Sequence, residues 1–153
     1  MIRVLGAFAA EGLEYTLIGA AAMGIHGVVR ATEDLDVIVR ATPENIERLR
    51  RAFRSVYDGD PNIDQIATED LLGEYPAVRY YPPSGDLYFD IITRLGEMAS
   101  YETVESEVKE VAGVRIVVAT PRALYRLKRA TVRPLDRADA VALQRRFELE
   151  DEG

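Results

Sequence analysis

Three acids stand inside or at the start of apolar runs, and their placing is the first pointer to chemistry. Asp34 and Asp36 open the run DLDVIVR, residues 34–40, and Asp90 interrupts DLYFDIIT, residues 86–93. Side chains alternate between faces along a strand, so Asp34 and Asp36 project together with Ile38. Leu35, Val37 and Val39 take the other face. Two carboxylates at that spacing repel each other and need a compensating charge. A divalent cation supplies it, and hard carboxylate oxygens suit Mg²⁺ or Mn²⁺. Asp90 shares its face with Tyr88 and Ile92, opposite Leu87, Phe89 and Ile91. An acid in such a strand is costly unless it is paired, hydrogen-bonded or metal-bound. Each signal has a plainer alternative. An Asp-x-Asp pair alone more often marks a solvated strand end. A lone strand Asp also fits an edge strand that faces water.

A second clue lies upstream. The run EYTLIG reaches Gly19 and is followed by small residues beginning at Ala20. Glycine lets a backbone approach a phosphate closely, and a helix N-terminus offers unpaired N–H groups to it. The alternative is a tight strand-to-helix turn that needs small residues for packing, and for Gly19 taken alone that reading wins.

The elements that must carry these residues are short and alternate in type. Residues 2–12 fit a helix stopped by Gly12, and 14–19 a strand. Ala20 to His26 fits a short helix closed by Gly27. Residues 34–40 form a strand. Thr42-Pro43-Glu44 starts a helix to about Ser55, with a capping hydroxyl, Pro at the first position and an acid in the first turn. Residues 57–67 are turn-rich, and Thr68 is expected to cap a short helix. Strands are expected at 78–81 and 86–93, and a hairpin at 105–119 turning at Ala112-Gly113. Helices follow at about 121–131 and 135–149, separated by Pro134. The expected architecture is α/β: a mixed sheet flanked by helices, in a single domain over residues 1–153.

Bulk properties narrow the function. A length of 153 residues supports a real core. No Cys is present, which excludes disulfides, thiolate metal sites and a thiol nucleophile, and one His leaves a structural zinc site almost entirely to carboxylates. The N-terminus reads as an amphipathic helix rather than a signal peptide, and no run approaches the ~20 apolar residues that cross a bilayer. A cytoplasmic protein with no membrane partner is expected. The net charge of -7 repels nucleic acid on average, so any RNA contact needs a local basic patch.

Together the motifs carry a resemblance. LIGAAAMGIHGVVRATEDLDVIV, from Leu17, resembles the signature of the polymerase-β-like nucleotidyltransferase superfamily. That signature is a hydrophobic residue, Gly, then Gly or Ser, a spacer and Asp-hydrophobic-Asp-hydrophobic, with a third carboxylate on a later strand. Gly19-Ala20, Asp34-Leu35-Asp36-Val37 and Asp90 match it. His26-Gly27, Arg30, Thr32, Asp34 and Asp36 are similar to a bacterial and archaeal subgroup that includes AbiEii-type and MenT-type toxins. Lys128, Arg133, Asp136 and Asp139 fit its C-terminal pattern. The resemblance spans roughly residues 14–145. One position departs: Ala20 replaces the usual Gly or Ser, so a phosphate-binding hydroxyl is missing while the backbone N–H remains.

The resemblance implies transfer of a nucleoside monophosphate from a nucleoside triphosphate, ATP among them, to an acceptor hydroxyl. Two cations about 3.5–4 Å apart would be held by Asp34, Asp36 and Asp90. Asp34 and Asp36 would touch both, and Asp90 the one that activates the acceptor. Gly19, Ala20, Arg30, Lys128 and Arg133 are the candidates for nucleotide binding. The acceptor would be a tRNA 3′ end, a protein hydroxyl or a small molecule, and a toxin would have a cognate antitoxin. The alternative is a nucleotide- or partner-binding module that keeps the fold with weak or no catalysis.

Other residues have two readings each. Arg122, Arg126, Lys128, Arg129, Arg133 and Arg137 form a basic stretch: a triphosphate or RNA contact, or a solvated helix face. Asp136 and Asp139 orient Lys128 or Arg133, or merely start the last helix. His26 is a conceivable general base, but more often such a residue is a helix-end residue that positions the loop before Asp34. Tyr80, Tyr81 and Tyr88 are placed to stack on a base, though such tyrosines are more often half-buried in a sheet.

Overall fold

The computed structural model describes residues 1–28, 34–73, 76–83, 87–95, 99–129 and 134–149, without the side chains of residue 129 and residues 134–137. The chain begins with α1 (Ile2–Ala10), which buries Val4, Leu5 and Phe8. Gly12, at φ +68°, ends it. Next come β1 (Tyr15–Ile18), α2 (Gly19–Ile25) and β2 (Asp34–Val39). The helix α3 (Pro43–Val56) follows, and its Thr42 side chain accepts a hydrogen bond from the Asn45 N–H as the capping signal requires. The turn-rich stretch holds a 3₁₀ turn, Pro61–Gln65, before α4 (Thr68–Leu72). The cap of α4 is Ala67, with no side-chain bond, so Thr68 is the first helical residue and not the cap. Its hydroxyl instead lies 3.4 Å from Arg50 Nη2.

The second half adds β3 (Ala77–Tyr80), β4 (Tyr88–Ile92), a two-residue pair β5 (Arg94–Leu95) and β6 (Ala99–Ser100), and the hairpin β7 (Ser106–Val111) and β8 (Val114–Ala119). That hairpin turns through Ala112 and Gly113, both at positive φ, the geometry that suits the twist of a two-residue turn. Two helices close the described chain, α5 (Pro121–Arg129) and α6 (Pro134–Phe147), so Pro134 begins a helix.

Six strands form the main sheet in the order β3-β4-β2-β1-β8-β7. β2 pairs parallel with β4 and antiparallel with β1, while β1 runs parallel to β8. The sheet is therefore mixed, as expected. One face carries Leu17, Leu35, Val37, Phe89 and Ile91, all 1% exposed or less. It packs on α1 and α3: Phe53 meets Phe8, Tyr80 and Phe89 at ring distances of 5.8, 4.7 and 4.9 Å. Burying each such side chain contributes roughly 1.5–3 kcal/mol. Strand alternation sends Ile18, Asp34, Asp36, Arg79 and Asp90 to the opposite face.

Candidate metal and nucleotide site

The site exists because β2 and β4 are neighbours in register. Asp36 stands opposite Asp90, and Asp34 opposite Tyr88. β4 lies inside the sheet between β3 and β2, so Asp90 is not the edge residue of the plainer alternative. One oxygen from each of Asp34, Asp36 and Asp90 falls within 4.8 Å of the others, and all three residues are half-buried. Burial first, and then the Asp34 and Asp90 carboxylates, push the Asp36 carboxyl up to about 8. Three carboxylates that together offer hard oxygens, one of them resisting ionisation, fit a divalent cation of the Mg²⁺ type.

Gly19 is required here for a reason the sequence did not disclose. It takes φ +73°, which side chains disfavour, and a Cβ on it would collide with Asp36 Oδ2. Its neighbour Ala20, in the first turn of α2, is half-buried. Both belong to the seven-residue helix that leads away from β1.

A cavity of about 480 Å³ opens in front of the acids. Gly19, Asp36, Asp90, Arg79 and Lys128 line its polar end, and Ile92, Leu95, Leu124 and Leu127 its apolar wall. Lys128 reaches it from α5, its Nζ 3.3 Å from Asp139 Oδ2 on α6. Asp139 is 5% exposed, so the pair is held in place by packing. Of the two acids considered as partners for Lys128, Asp139 fills the role, while the Asp136 side chain lies outside the described residues. Arg30, Thr32 and Arg133 lie outside them too, as do the side chains of Arg129 and Arg137. Arg122 and Arg126 are exposed on α5.

Sequence reasoning missed Arg79. It is paired with Asp90 across β3 and β4, with Nε 2.7 Å from Asp90 Oδ1 and Nη2 3.5 Å from Oδ2. The available signal was a lone Arg in the strand preceding the one that holds the lone Asp. The tyrosines separate. Tyr80 faces α3 and donates to Asp60 at 2.6 Å, so it cannot stack on a base at this site. Tyr81 and Tyr88 remain on the acid side, with ring centroids 5.2 Å apart. His26 is buried, its Nε2 2.7 Å from the Ala119 carbonyl, and so ties the end of α2 to β8. His26 thus sits at a helix end, while residues 29–33 of the loop before Asp34, which it was expected to position, lie outside the described residues.

The mixed sheet flanked by helices is a nucleotidyltransferase-like fold, and it carries the Asp-x-Asp strand beside a third carboxylate. Two solved structures share the fold. One is an antigenic nucleotidyltransferase-like protein from Paracoccidioides brasiliensis, with 14% identity and TM-score 0.58 over 93% of this chain and 72% of that one. The other is a protein of Thermotoga maritima assigned as a nucleotidyltransferase, with 14% identity and TM-score 0.52 over 95% of this chain and 88% of that one. At this identity the likeness establishes the fold. No protein-family model and no curated protein matches the chain by sequence. Among the described residues no helix is long and apolar enough to cross a membrane.

Proposed function

We propose that the protein is a metal-dependent nucleotidyltransferase, acting as a single domain, that moves a nucleoside monophosphate from a nucleoside triphosphate to an RNA 3′ end or a protein hydroxyl. The observation that carries this reading is the convergence of Asp34, Asp36 and Asp90 within 4.8 Å in this fold. Bound Mg²⁺ or Mn²⁺ would neutralise these carboxylates and lower the pKa of the attacking hydroxyl. Lys128, fixed by Asp139, presents its ammonium to phosphate oxygens and stabilises charge on the leaving pyrophosphate. The backbone N–H groups of Gly19 and Ala20, at the start of α2, are assigned to phosphate oxygens, and Arg30 and Arg133 are assigned to the triphosphate by the motif alone. Leu124, Leu127, Leu95 and Ile92 give an apolar wall against which a base loses its water. The similarity of Arg30, Thr32, Asp34 and Asp36 to AbiEii-type and MenT-type toxins supports a toxin role, which requires a cognate antitoxin.

Ala20 favours a second reading, a nucleotide-binding module with weak or no catalysis, because it stands where Gly or Ser is usual and offers no hydroxyl to a phosphate. A transfer assay separates the two. The protein is incubated with Mg²⁺, each labelled nucleoside triphosphate in turn, and total RNA plus protein extract. The enzyme reading expects label on RNA or protein, lost with chelator and in Asp36→Ala. Label on neither macromolecule from well-folded protein sinks that reading. Nucleotide binding that persists in the same sample, with no labelled small-molecule product either, then selects the module.

A further inference from the structure

Arg79 is the charged residue at the site that the nucleotidyltransferase reading does not use. Its guanidinium reaches both oxygens of Asp90, at 2.7 and 3.5 Å. It is held there from two further directions. Nη1 donates to the Tyr81 hydroxyl at 3.3 Å, and the guanidinium carbon sits 4.9 Å from the Tyr88 ring centroid. The 2.7 Å contact is a short charge-assisted hydrogen bond, and the 3.5 Å contact adds a weak second prong. The Arg79 side chain is 51% exposed and that of Asp90 26%, so the pair sits at the mouth of the cavity, where it can open without disturbing the core.

We propose that Arg79 is the resident counter-ion of Asp90, and that a divalent cation entering the centre must compete with its guanidinium for that carboxylate. The inference rests on the metal-centre reading above. A positive charge beside a metal ligand opposes a second positive charge on the same ligand. It also occupies oxygen lone pairs that coordination needs. The consequence is selective loading. The nucleotide-free protein holds divalent cations weakly, because Asp90 is already balanced. A triphosphate that delivers its own cation adds negative charge, which repels nothing on Arg79 and gives the displaced guanidinium a partner. Tyr81 and Tyr88 keep Arg79 at the rim while it moves between Asp90 and phosphate. Arg79 is thus a positioning residue that acts through Asp90.

The test is calorimetric titration of Mn²⁺ into the metal-stripped, nucleotide-free full chain. Arg79→Met keeps the apolar stem and removes the charge. It is expected to bind Mn²⁺ roughly tenfold tighter than the unaltered protein, with Arg79→Gln doing the same and Arg79→Lys staying close to the original. In an Asp90→Asn background the gain from Arg79→Met should vanish, since the carboxylate through which Arg79 acts is gone. Equal or weaker Mn²⁺ binding in folded Arg79→Met and Arg79→Gln overturns the inference and leaves the metal centre standing. A gain that persists in the Asp90→Asn background overturns it as well, by showing that Arg79 acts on the cation by another route. No Mn²⁺ binding to any of the proteins removes the metal-centre reading, and this inference with it.

Discussion

At the scale of single residues, Gly19 and Asp36 are one unit. The glycine adopts φ +73° so that the chain can leave β1 for α2, and the space its missing Cβ leaves is filled by the Asp36 carboxylate. Gly19→Ala therefore meets two penalties. The left-handed backbone costs roughly 1–2 kcal/mol for a residue with a Cβ. The clash with Asp36 adds to that and tilts a metal ligand. We expect a loss of at least about 2 kcal/mol in denaturant unfolding, together with weakened cation binding. Combining Gly19→Ala with Asp36→Ala should recover part of the loss, because the carboxylate that the new methyl strikes is no longer there. Strictly additive costs in the double variant would show that the backbone alone makes Gly19 necessary. The glycine was visible in the sequence, but its partner was not. Seventeen positions separate it from Asp36, and only the antiparallel register that sets Ile18 opposite Asp36 brings the two together.

At the scale of elements, the joints matter more than the elements themselves. Asn45 is fully buried in the first turn of α3 and binds three backbone groups of other segments. Its Oδ1 accepts from the Glu14 N–H at 2.8 Å, and its Nδ2 donates to the carbonyls of Glu14 at 2.9 Å and Arg40 at 3.0 Å. One amide thus locks the start of β1 and the end of β2 to α3, which fixes the strand that carries Asp34 and Asp36. Asn45→Ala takes the partner from the Glu14 N–H and one of two donors from each carbonyl, which keep the N–H groups of Arg40 and Thr42, so it should cost about 2 kcal/mol and lower Tm by roughly 4–8 °C. Asn45→Asp keeps the size but turns an acceptor toward two carbonyls, so it should do no better. A melt within a degree or two of the original in either variant would show that water replaces the amide. The sequence made most elements readable, because Leu35, Val37 and Val39 keep a period of two and Thr42-Pro43 is a strong helix start. It did not reveal Asn45, since a polar residue in a first helical turn looks like any solvated one. The β5 and β6 pair escaped too, because two-residue strands have no period to read. Arg79 escaped for a related reason: its partner depends on hairpin register across residues 81–87, which composition does not set.

For the molecule as a whole, the acid centre acts as a stored strain on the fold that a cation should relieve. The Asp36 carboxyl is raised from 3.8 to about 8 in the folded chain by burial, and next by Asp34 and Asp90. The unfolded chain has no such burial, so its Asp36 ionises near the ordinary value. Below about pH 4 both states carry the proton and the folded protein keeps the full advantage. Between pH 4 and 8 the unfolded state loses its proton while the folded state retains it, so stability falls as pH rises, by at most about 1.4 kcal/mol per pH unit. Above 8 the dependence on this group levels off. In chelator, the melting temperature of the unaltered protein should decline from pH 5 to pH 8 more steeply than that of Asp36→Asn, which has no proton to lose. Cation binding should reverse the pattern. Mg²⁺ stabilises the folded state by mass action, and it requires an ionised Asp36. The rise in melting temperature on adding Mg²⁺ should therefore be small at pH 5 and largest near pH 8, and nearly absent at any pH in Asp36→Asn. Melting curves at five pH values, with and without Mg²⁺, decide the matter. Parallel pH profiles for the two proteins would show that Asp36 titrates normally. A Mg²⁺ gain independent of pH would place the cation somewhere other than the three acids.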